Sequence, residues 1–158
     1  MRENTSSPGL FDASAPKTPA DGPRLVIQVD GGSRNNPGPA GFGYVIGDGS
    51  GRLIEARGEF IGDATSNVAE YKGMVAAAQR AAALGARSVT FRVDSELLER
   101  QVNGRYRIKA LHLKPLWAEL MAALNRIPEW HVQHVPREQN QAADLLVNRA
   151  IDARGAVS

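Results

Sequence analysis

Three apolar segments follow one another closely near the start of the chain, and only short turns separate them. The predicted strands cover about 24–30, 40–47 and 51–61, and the segments between them are rich in Gly, Asn and Pro. Turns this short join antiparallel strands, because a parallel connection needs a crossover of about a dozen residues or more. The sequence therefore predicts a three-stranded antiparallel meander.

After the meander, helices and single strands alternate, a pattern that adds parallel strands to a sheet. We therefore predict an α/β fold with a mixed five-stranded sheet, three antiparallel strands followed by two parallel additions, and helices on both faces. The remaining predicted elements are an alanine-rich helix at about 67–84, a strand at 88–94, a short helix at 95–102, a helix at 112–126, a strand at 130–135 and a last helix at 140–153.

The 158 residues correspond to one domain, which we place at 24–153. Four of the nine prolines lie in residues 1–23, a polar segment that we predict to be a disordered tail, and residues 154–158 form a short C-terminal tail. The chain contains no cysteine, which excludes disulfides and thiolate metal sites and suits the cytoplasm. It also lacks the apolar run of about 20 residues that a membrane span needs.

The net charge is only +2, but the basic residues are unevenly distributed. The segment from Arg100 to Lys114 contains five Lys and Arg residues, including both ends, and no acid. Such a stripe can follow a phosphate backbone, although a solvated loop with scattered cations explains it nearly as well.

Four acids stand at the boundaries of predicted elements. Asp30 and Asp94 end strands, and Glu70 and Asp144 lie in the first turns of helices. Each has an ordinary structural explanation: a turn residue for Asp30, a capping box after Asn67 for Glu70, a helix cap for Asp94 and the helix dipole for Asp144.

These four structural explanations are less convincing when the acids are considered together, because the strand ends and helix starts that carry them can converge at one edge of the sheet. Carboxylates that lie close together repel one another unless cations neutralise them. Mg²⁺ prefers oxygen ligands, and two such ions about 3.5–4 Å apart catalyse phosphodiester hydrolysis. The pattern therefore indicates a metal-dependent nuclease.

The same residues resemble the sequence motifs of type 1 ribonuclease H, and the resemblance covers about 24–153. Val29–Ser33, followed by Asn36–Gly38 and Gly41–Gly43, resembles the opening of that family. The later motifs, in the family's order, are Thr65–Tyr71, Val93–Ser95 and Val135–Glu138 with Asn140–Asp144.

The resemblance implies an endoribonuclease that hydrolyses the RNA strand of RNA–DNA hybrids and leaves 3′-hydroxyl and 5′-phosphate ends. It implies that Asp30, Glu70, Asp94 and Asp144 hold two Mg²⁺ ions, with Mn²⁺ as a substitute, and that Glu70 lies near the RNA 2′-hydroxyl. We expect a monomer whose partner is the hybrid. The implied substrate-binding residues are Gly31, Gly32, Ser33 and Asn36 at the minor groove, and Thr65, Ser66 and Asn67 at the DNA strand.

The chain departs from many family members in two places. A histidine on the loop before the last acid is replaced by Arg137, which we assign to the catalytic set as a cation for the phosphate; His134 has the spacing of that histidine but belongs to a predicted strand. We expect the basic protrusion and the separate hybrid-binding domain of some relatives to be absent. Arg105, Arg107 and Lys109, with Tyr106 between them, are a candidate reduced substitute, or else part of a polar connector.

Two other functions remain open from the sequence. The chain could bind hybrid without cutting it, although intact acids at all four positions argue against this. It could also cut DNA or double-stranded RNA, because related folds host different reactions.

Overall fold

The computed structural model describes residues 22–105 and 107–158. The predicted tail at 1–23 lies outside these residues except for its last two, and so does Tyr106. The strands are β1 Arg24–Ser33, β2 Gly38–Asp48, β3 Leu53–Ala64, β4 Ser88–Val93, β5 Glu129–His134 and β6 Ala156–Val157. The helices are α1 Ser66–Ala83, α2 Glu96–Val102, α3 Lys114–Leu124 and α4 Gln141–Ala153, with single 3₁₀ turns at Leu111–Leu113 and Arg137–Gln139.

The six strands form one mixed sheet in the order β5-β4-β1-β2-β3-β6. β1, β2 and β3 pair antiparallel in sequence, whereas β4 pairs parallel with β1 and β5 parallel with β4. The α/β fold class, with its meander and two parallel additions, is therefore confirmed. In the β1–β4 register Val29 lies beside Val93, so the residues that follow them, Asp30 and Asp94, emerge at the same edge of the sheet.

The sheet has six strands rather than the predicted five. β6 pairs with β3 through Gly58–Val157 and Glu59–Ala156, inside the segment predicted as a C-terminal tail. A strand of two residues has no alternating pattern that sequence analysis could detect. Its pairing depends on the reversal after α4, where Arg154 adopts a left-handed conformation with φ of 50°.

Helices cover the sheet unevenly. α1 packs on β1 and β2 and also contacts α3, whereas α4 packs on the opposite face of the sheet, against β1, β2 and β3. The core between α1 and the sheet contains the fully buried Ile27, Tyr71, Met74 and Phe91. Both α1 and α4 therefore bring their first turns to the sheet edge at which Asp30 and Asp94 lie. In the described part of the chain, no helix has the length and apolar character to cross a membrane.

Candidate active site

β1 does not break at Asp30, as the sequence suggested, but continues to Ser33. Gly31, Gly32 and Ser33 remain paired with β2, because an extended glycine backbone fits a sheet as well as a turn. The pairing with β4, however, stops at Val29. Asp30 is thus the first residue of β1 that no longer pairs with the parallel strand β4, and it is 8% exposed.

Glu70 reaches the same edge from α1, and it is not part of a capping box. The cap of α1 is Thr65, whose Oγ1 accepts a hydrogen bond from the Val68 N–H at 3.2 Å. Glu70 is the fifth residue of the helix and therefore too far along to bond back to the cap. Instead, its carboxylate accepts a hydrogen bond from Ser95. The structural explanation offered for Glu70 is therefore wrong.

Asp94 is likewise not the cap of the helix that follows it. Ser95 caps α2, accepting a hydrogen bond from the Leu98 N–H at 3.2 Å. The Asp94 side chain is only 9% exposed, and its buried Oδ2 has no hydrogen-bond partner among the described residues. The Nε of Arg137 lies 3.8 Å from that oxygen.

Three carboxylates meet at this point. Asp30, Glu70 and Asp94 each offer an oxygen, and these oxygens all lie within 4.8 Å of one another. Asp144, in the first turn of α4, joins them through a hydrogen bond with Asp30. The structure thus brings the four predicted acids together, with Asp30 between Asp94 and Asp144.

The electrostatics of this cluster reflect its burial and its like charges. Burial, the charge of Asp94 and contact with Asp144 raise the pKa of Asp30 to about 9. Burial and the charge of Asp94 raise the pKa of Glu70 to about 7, although Ser95 and Arg137 act in the opposite direction. Ionised together, these groups need a compensating positive charge.

The cluster fits a hard divalent cation. All of its donors are carboxylate oxygens, which Mg²⁺ and Mn²⁺ prefer over the nitrogen and sulfur ligands of softer metals. The unpartnered Oδ2 of Asp94 is a buried acceptor that a cation would satisfy. Asp30, Glu70 and Asp94 are therefore the residues that could hold a metal ion, with Asp144 beside them.

The raised pKa values predict how the metal-free protein responds to pH. Both carboxyls ionise near pH 4 when unfolded, so their contribution to stability is complete below that pH and is lost as pH rises through about 7 for Glu70 and about 9 for Asp30. We expect the melting temperature in EDTA to fall by roughly 5 °C or more between pH 6 and 9. Excess Mg²⁺ should largely abolish the fall; an equal fall with and without Mg²⁺ would contradict a cation site here. Differential scanning fluorimetry measures both.

Asn140 positions α4, a role that sequence analysis did not assign. It is fully buried, and its Nδ2 donates a 2.8 Å hydrogen bond to the backbone oxygen of Val29, the residue before Asp30. Its own backbone oxygen accepts from the Asp144 N–H at 3.1 Å. One side chain thus fixes the start of the Asp144 helix to the strand of Asp30. Because Asn140 directly precedes a helix, its sequence position predicts an ordinary helix cap and gives no sign of the longer-range contact with Val29.

Replacing Asn140 with Ala should therefore loosen the link between α4 and β1. The substitution leaves the Val29 carbonyl buried without its donor, which costs about 1–3 kcal/mol of folding free energy. We also expect the Mg²⁺ concentration needed for half-maximal activity to rise several-fold, because Asp144 is no longer held beside Asp30. Gln141→Ala is the matched control, since Gln141 is the exposed neighbour of Asn140 in the first turn of the same helix. Equal effects of the two substitutions would contradict the positioning role.

Arg137 and His134 occupy different positions relative to the acids. Arg137 begins the 3₁₀ turn before α4, and its side chain is 83% exposed although its Nε approaches Asp94. His134 is the last residue of β5, exposed and paired in register with Val93. Arg137 is therefore the cation beside the carboxylates, and it is free to swing toward an anion above them.

Several predicted substrate-binding residues also connect the loops around the site. The Asn36 Oδ1 accepts from the Ser66 N–H at 3.0 Å, and the Ser33 Oγ donates to the Ala64 carbonyl at 2.7 Å. These bonds join the β1–β2 turn to the start of α1, where Asn67 is exposed. The three predicted basic contacts lie beyond α2, where Arg107 and Lys109 are exposed and Arg105 has its Nη1 3.8 Å from Glu99 Oε2.

Known proteins resemble this chain in both sequence and fold. A family described as reverse transcriptase-like matches residues 28–150. The bifunctional protein Rv2228c of Mycobacterium tuberculosis is 42% identical over 82% of this chain, which spans only 36% of that protein's length. A ribonuclease HI of Halobacterium salinarum is 38% identical over 89% of this chain and 71% of its own length.

Solved structures agree with these relatives. Ribonuclease H1 of Halobacterium salinarum superposes with a TM-score of 0.80 at 38% identity, covering 82% of this chain and 98% of that one. LC11-RNase H1, isolated from compost and solved in complex with an RNA/DNA hybrid, gives a TM-score of 0.78 at 40% identity, covering 82% and 98%. Sequence, fold and the position of the acidic cluster lead to the same conclusion: the chain belongs to the type 1 ribonuclease H family.

Proposed function

We propose that this chain is an endoribonuclease that hydrolyses the RNA strand of RNA–DNA hybrids with divalent metal ions. The observation that carries the proposal is the convergence of four acids from β1, α1, β4 and α4 at one sheet edge, three of them with oxygens within 4.8 Å of one another. Its support from relatives is the hybrid bound by LC11-RNase H1 and the ribonuclease names of the similar proteins.

In this proposal Asp30, Glu70, Asp94 and Asp144 hold two Mg²⁺ ions, and Mn²⁺ can replace them. When bound, such a pair activates a water molecule and stabilises the leaving 3′ oxygen, which gives 3′-hydroxyl and 5′-phosphate ends. Asp30 lies between Asp94 and Asp144 and is therefore the central carboxylate of the set that would hold the ions. Ser95 fixes the orientation of the Glu70 carboxylate through its hydroxyl.

The other residues around the cluster bind and orient the substrate. Arg137 supplies a positive charge beside Asp94 that can bind a substrate phosphate. The resemblance to the family implies that the RNA strand passes beside Gly31 and Gly32. The Thr65 loop, joined to Asn36 through Ser66, forms the adjoining surface for the DNA strand.

The direct test compares four substrates: RNA–DNA hybrid, single-stranded RNA, double-stranded RNA and double-stranded DNA, each with Mg²⁺, Mn²⁺ or EDTA. We expect cleavage of the hybrid's RNA strand with either metal and none in EDTA. End-labelling of the products reports whether they carry 5′-phosphates. Hybrid binding without metal-dependent cutting, or preferential cleavage of another duplex, would contradict the proposal.

A further inference from the structure

A groove lies between the end of α2 and the start of α3. Its volume is about 480 Å³, and no acid is among the described residues that line it. Among the residues that form it are Gln101, Arg107, Ile108, Lys114, Trp117 and Ala118. It is thus a cavity with an aromatic side chain and two cations, and the proposed chemistry at the acids does not use it.

Trp117 is exposed in this groove rather than buried in the core. Its spacing with Leu113, Leu116 and Leu120 predicts a core position, but Trp117 remains 37% exposed while Leu113 and Leu120 are buried. Those leucines fill the core beneath α3, so the indole of Trp117 is not required there. Trp117 therefore presents part of its ring to the groove.

The cations of the groove are available for an anion. Arg107 and Lys114 form no ion pair with any other described residue, and Lys109 nearby is also exposed and unpaired in the same range. By contrast, Arg105 lies near Glu99. The groove is therefore electrostatically complementary to a polyanion and also offers an aromatic surface.

The short helix α2 connects the acidic cluster to the groove. α2 begins two residues after Asp94, and its seven residues span about 10 Å. At its far end Gln101 is buried and accepts a 2.6 Å hydrogen bond from the hydroxyl of Tyr71, the neighbour of Glu70 on α1. A strand leaving the acids along α2 would therefore reach the groove within a few nucleotides.

We propose that this groove binds unpaired nucleotides that flank the hybrid, with a base stacked on Trp117 and the backbone phosphates near Arg107 and Lys114. The inference rests on the proposed function. A base inside a duplex is stacked on both faces and cannot offer one to an indole, whereas an unpaired base can. An aromatic ring beside two cations is the usual arrangement for single-stranded nucleic acid, whether DNA or RNA.

The test measures binding by fluorescence anisotropy with the full-length chain carrying Asp30→Asn, which prevents cleavage. The probes are one blunt hybrid and the same hybrid with a six-nucleotide single-stranded extension, of DNA in one arm and of RNA in the other, at either end. We expect at least one extension to tighten binding about five-fold or more, because its bases can stack on Trp117. Comparing the DNA and RNA extensions at the two ends shows which strand the groove binds.

Variants then separate stacking from charge. Adding Trp117→Ala should remove the advantage of the extension while leaving the affinity for the blunt hybrid within about two-fold, and Trp117→Phe should keep most of the advantage. Lys114→Ala should reduce the slope of log affinity against log salt concentration by about one for the extended probe, because one phosphate contact is lost. Leu53→Ala, which removes a more exposed apolar side chain from the far strand β3, should change neither.

Each failure has a distinct meaning. An extension advantage that survives Trp117→Ala, or no advantage in any arm, overturns the groove proposal while hybrid cleavage by the unmodified chain leaves the proposed function intact. An equal loss of affinity for blunt and extended probes would assign the groove to duplex backbone and overturn the proposal too. If the unmodified chain neither binds nor cuts hybrid, the proposed function itself fails.

Discussion

Asp30→Asn should abolish hybrid cleavage, by a factor of about 10³ or more, and at the same time stabilise the metal-free protein. Asp30 lies between Asp94 and Asp144, so an amide there removes the central negative charge from the set of ligands that would hold the metal ions. A loss of several kcal/mol of transition-state stabilisation corresponds to at least that factor in rate. Cleavage of labelled hybrid under single-turnover conditions measures the loss.

The stabilisation has a separate physical cause. Burial and neighbouring carboxylates raise the pKa of Asp30 to about 9, so folding near pH 7.5 requires this group to take up a proton that the unfolded chain does not hold. An amide is neutral at every pH and can make the same contacts, donating to Asp144 and accepting from the Gly31 N–H. We expect the melting temperature in EDTA to rise by at least about 3 °C.

Asp63→Asn is the matched control for this substitution. It makes the same chemical change at an exposed position on β3, and we expect cleavage within about two-fold of the unmodified chain and an unchanged melting temperature. Retained cleavage in Asp30→Asn, or a folded state less stable than the parent's in EDTA, would contradict the central place given to Asp30.

The two acids that end neighbouring strands were predictable because backbone topology alone brings them together. Once β1 and β4 are parallel neighbours, Asp30 and Asp94 must leave the same edge of the sheet. Glu70 was harder, since a motif of Asn67 and Glu70 three residues apart also predicts a capping box. Only the actual cap at Thr65 shows that the Glu70 carboxylate is free for the site.

Other features depend on tertiary contacts that leave no periodic signal. Asn140 lies 111 residues from the carbonyl it contacts, and nothing local in the sequence distinguishes it from an ordinary cap. The two-residue β6 exists only because β3 offers it an edge. The exposure of Trp117 depends on which leucines fill the space beneath α3, a property of packing rather than of helical spacing.

Gly31→Ala should strongly destabilise the protein, although alanine is compatible with the extended backbone at this position. A Cβ placed on Gly31 would lie 2.4 Å from both the Ala69 carbonyl carbon and the Glu70 nitrogen, inside the backbone of α1. No side chain can rotate to relieve this contact, so α1 itself must move away from β1. We expect a loss of about 3 kcal/mol or more and a melting temperature lower by roughly 6 °C or more.

The same displacement should reduce cleavage more than the loss of stability explains. Moving α1 carries Glu70 away from Asp30 and Asp94, and a misplacement of about 1 Å at an active site can reduce the rate about 100-fold. Assays at a temperature where the variant is fully folded separate this effect from unfolding. We expect the residual activity to require more Mg²⁺ than the parent does.

Gly32→Ala is the matched stability control, because the neighbouring glycine faces the opposite side of the sheet. Its added Cβ would lie 3.6 Å from Val147 Cγ1, an ordinary van der Waals contact with α4. We therefore expect its melting temperature to stay within about 2 °C of the parent's. If Gly31→Ala melted as high as Gly32→Ala, the close approach of α1 to β1 could not be what holds Glu70 beside the two aspartates. The first glycine would then matter to the substrate strand alone.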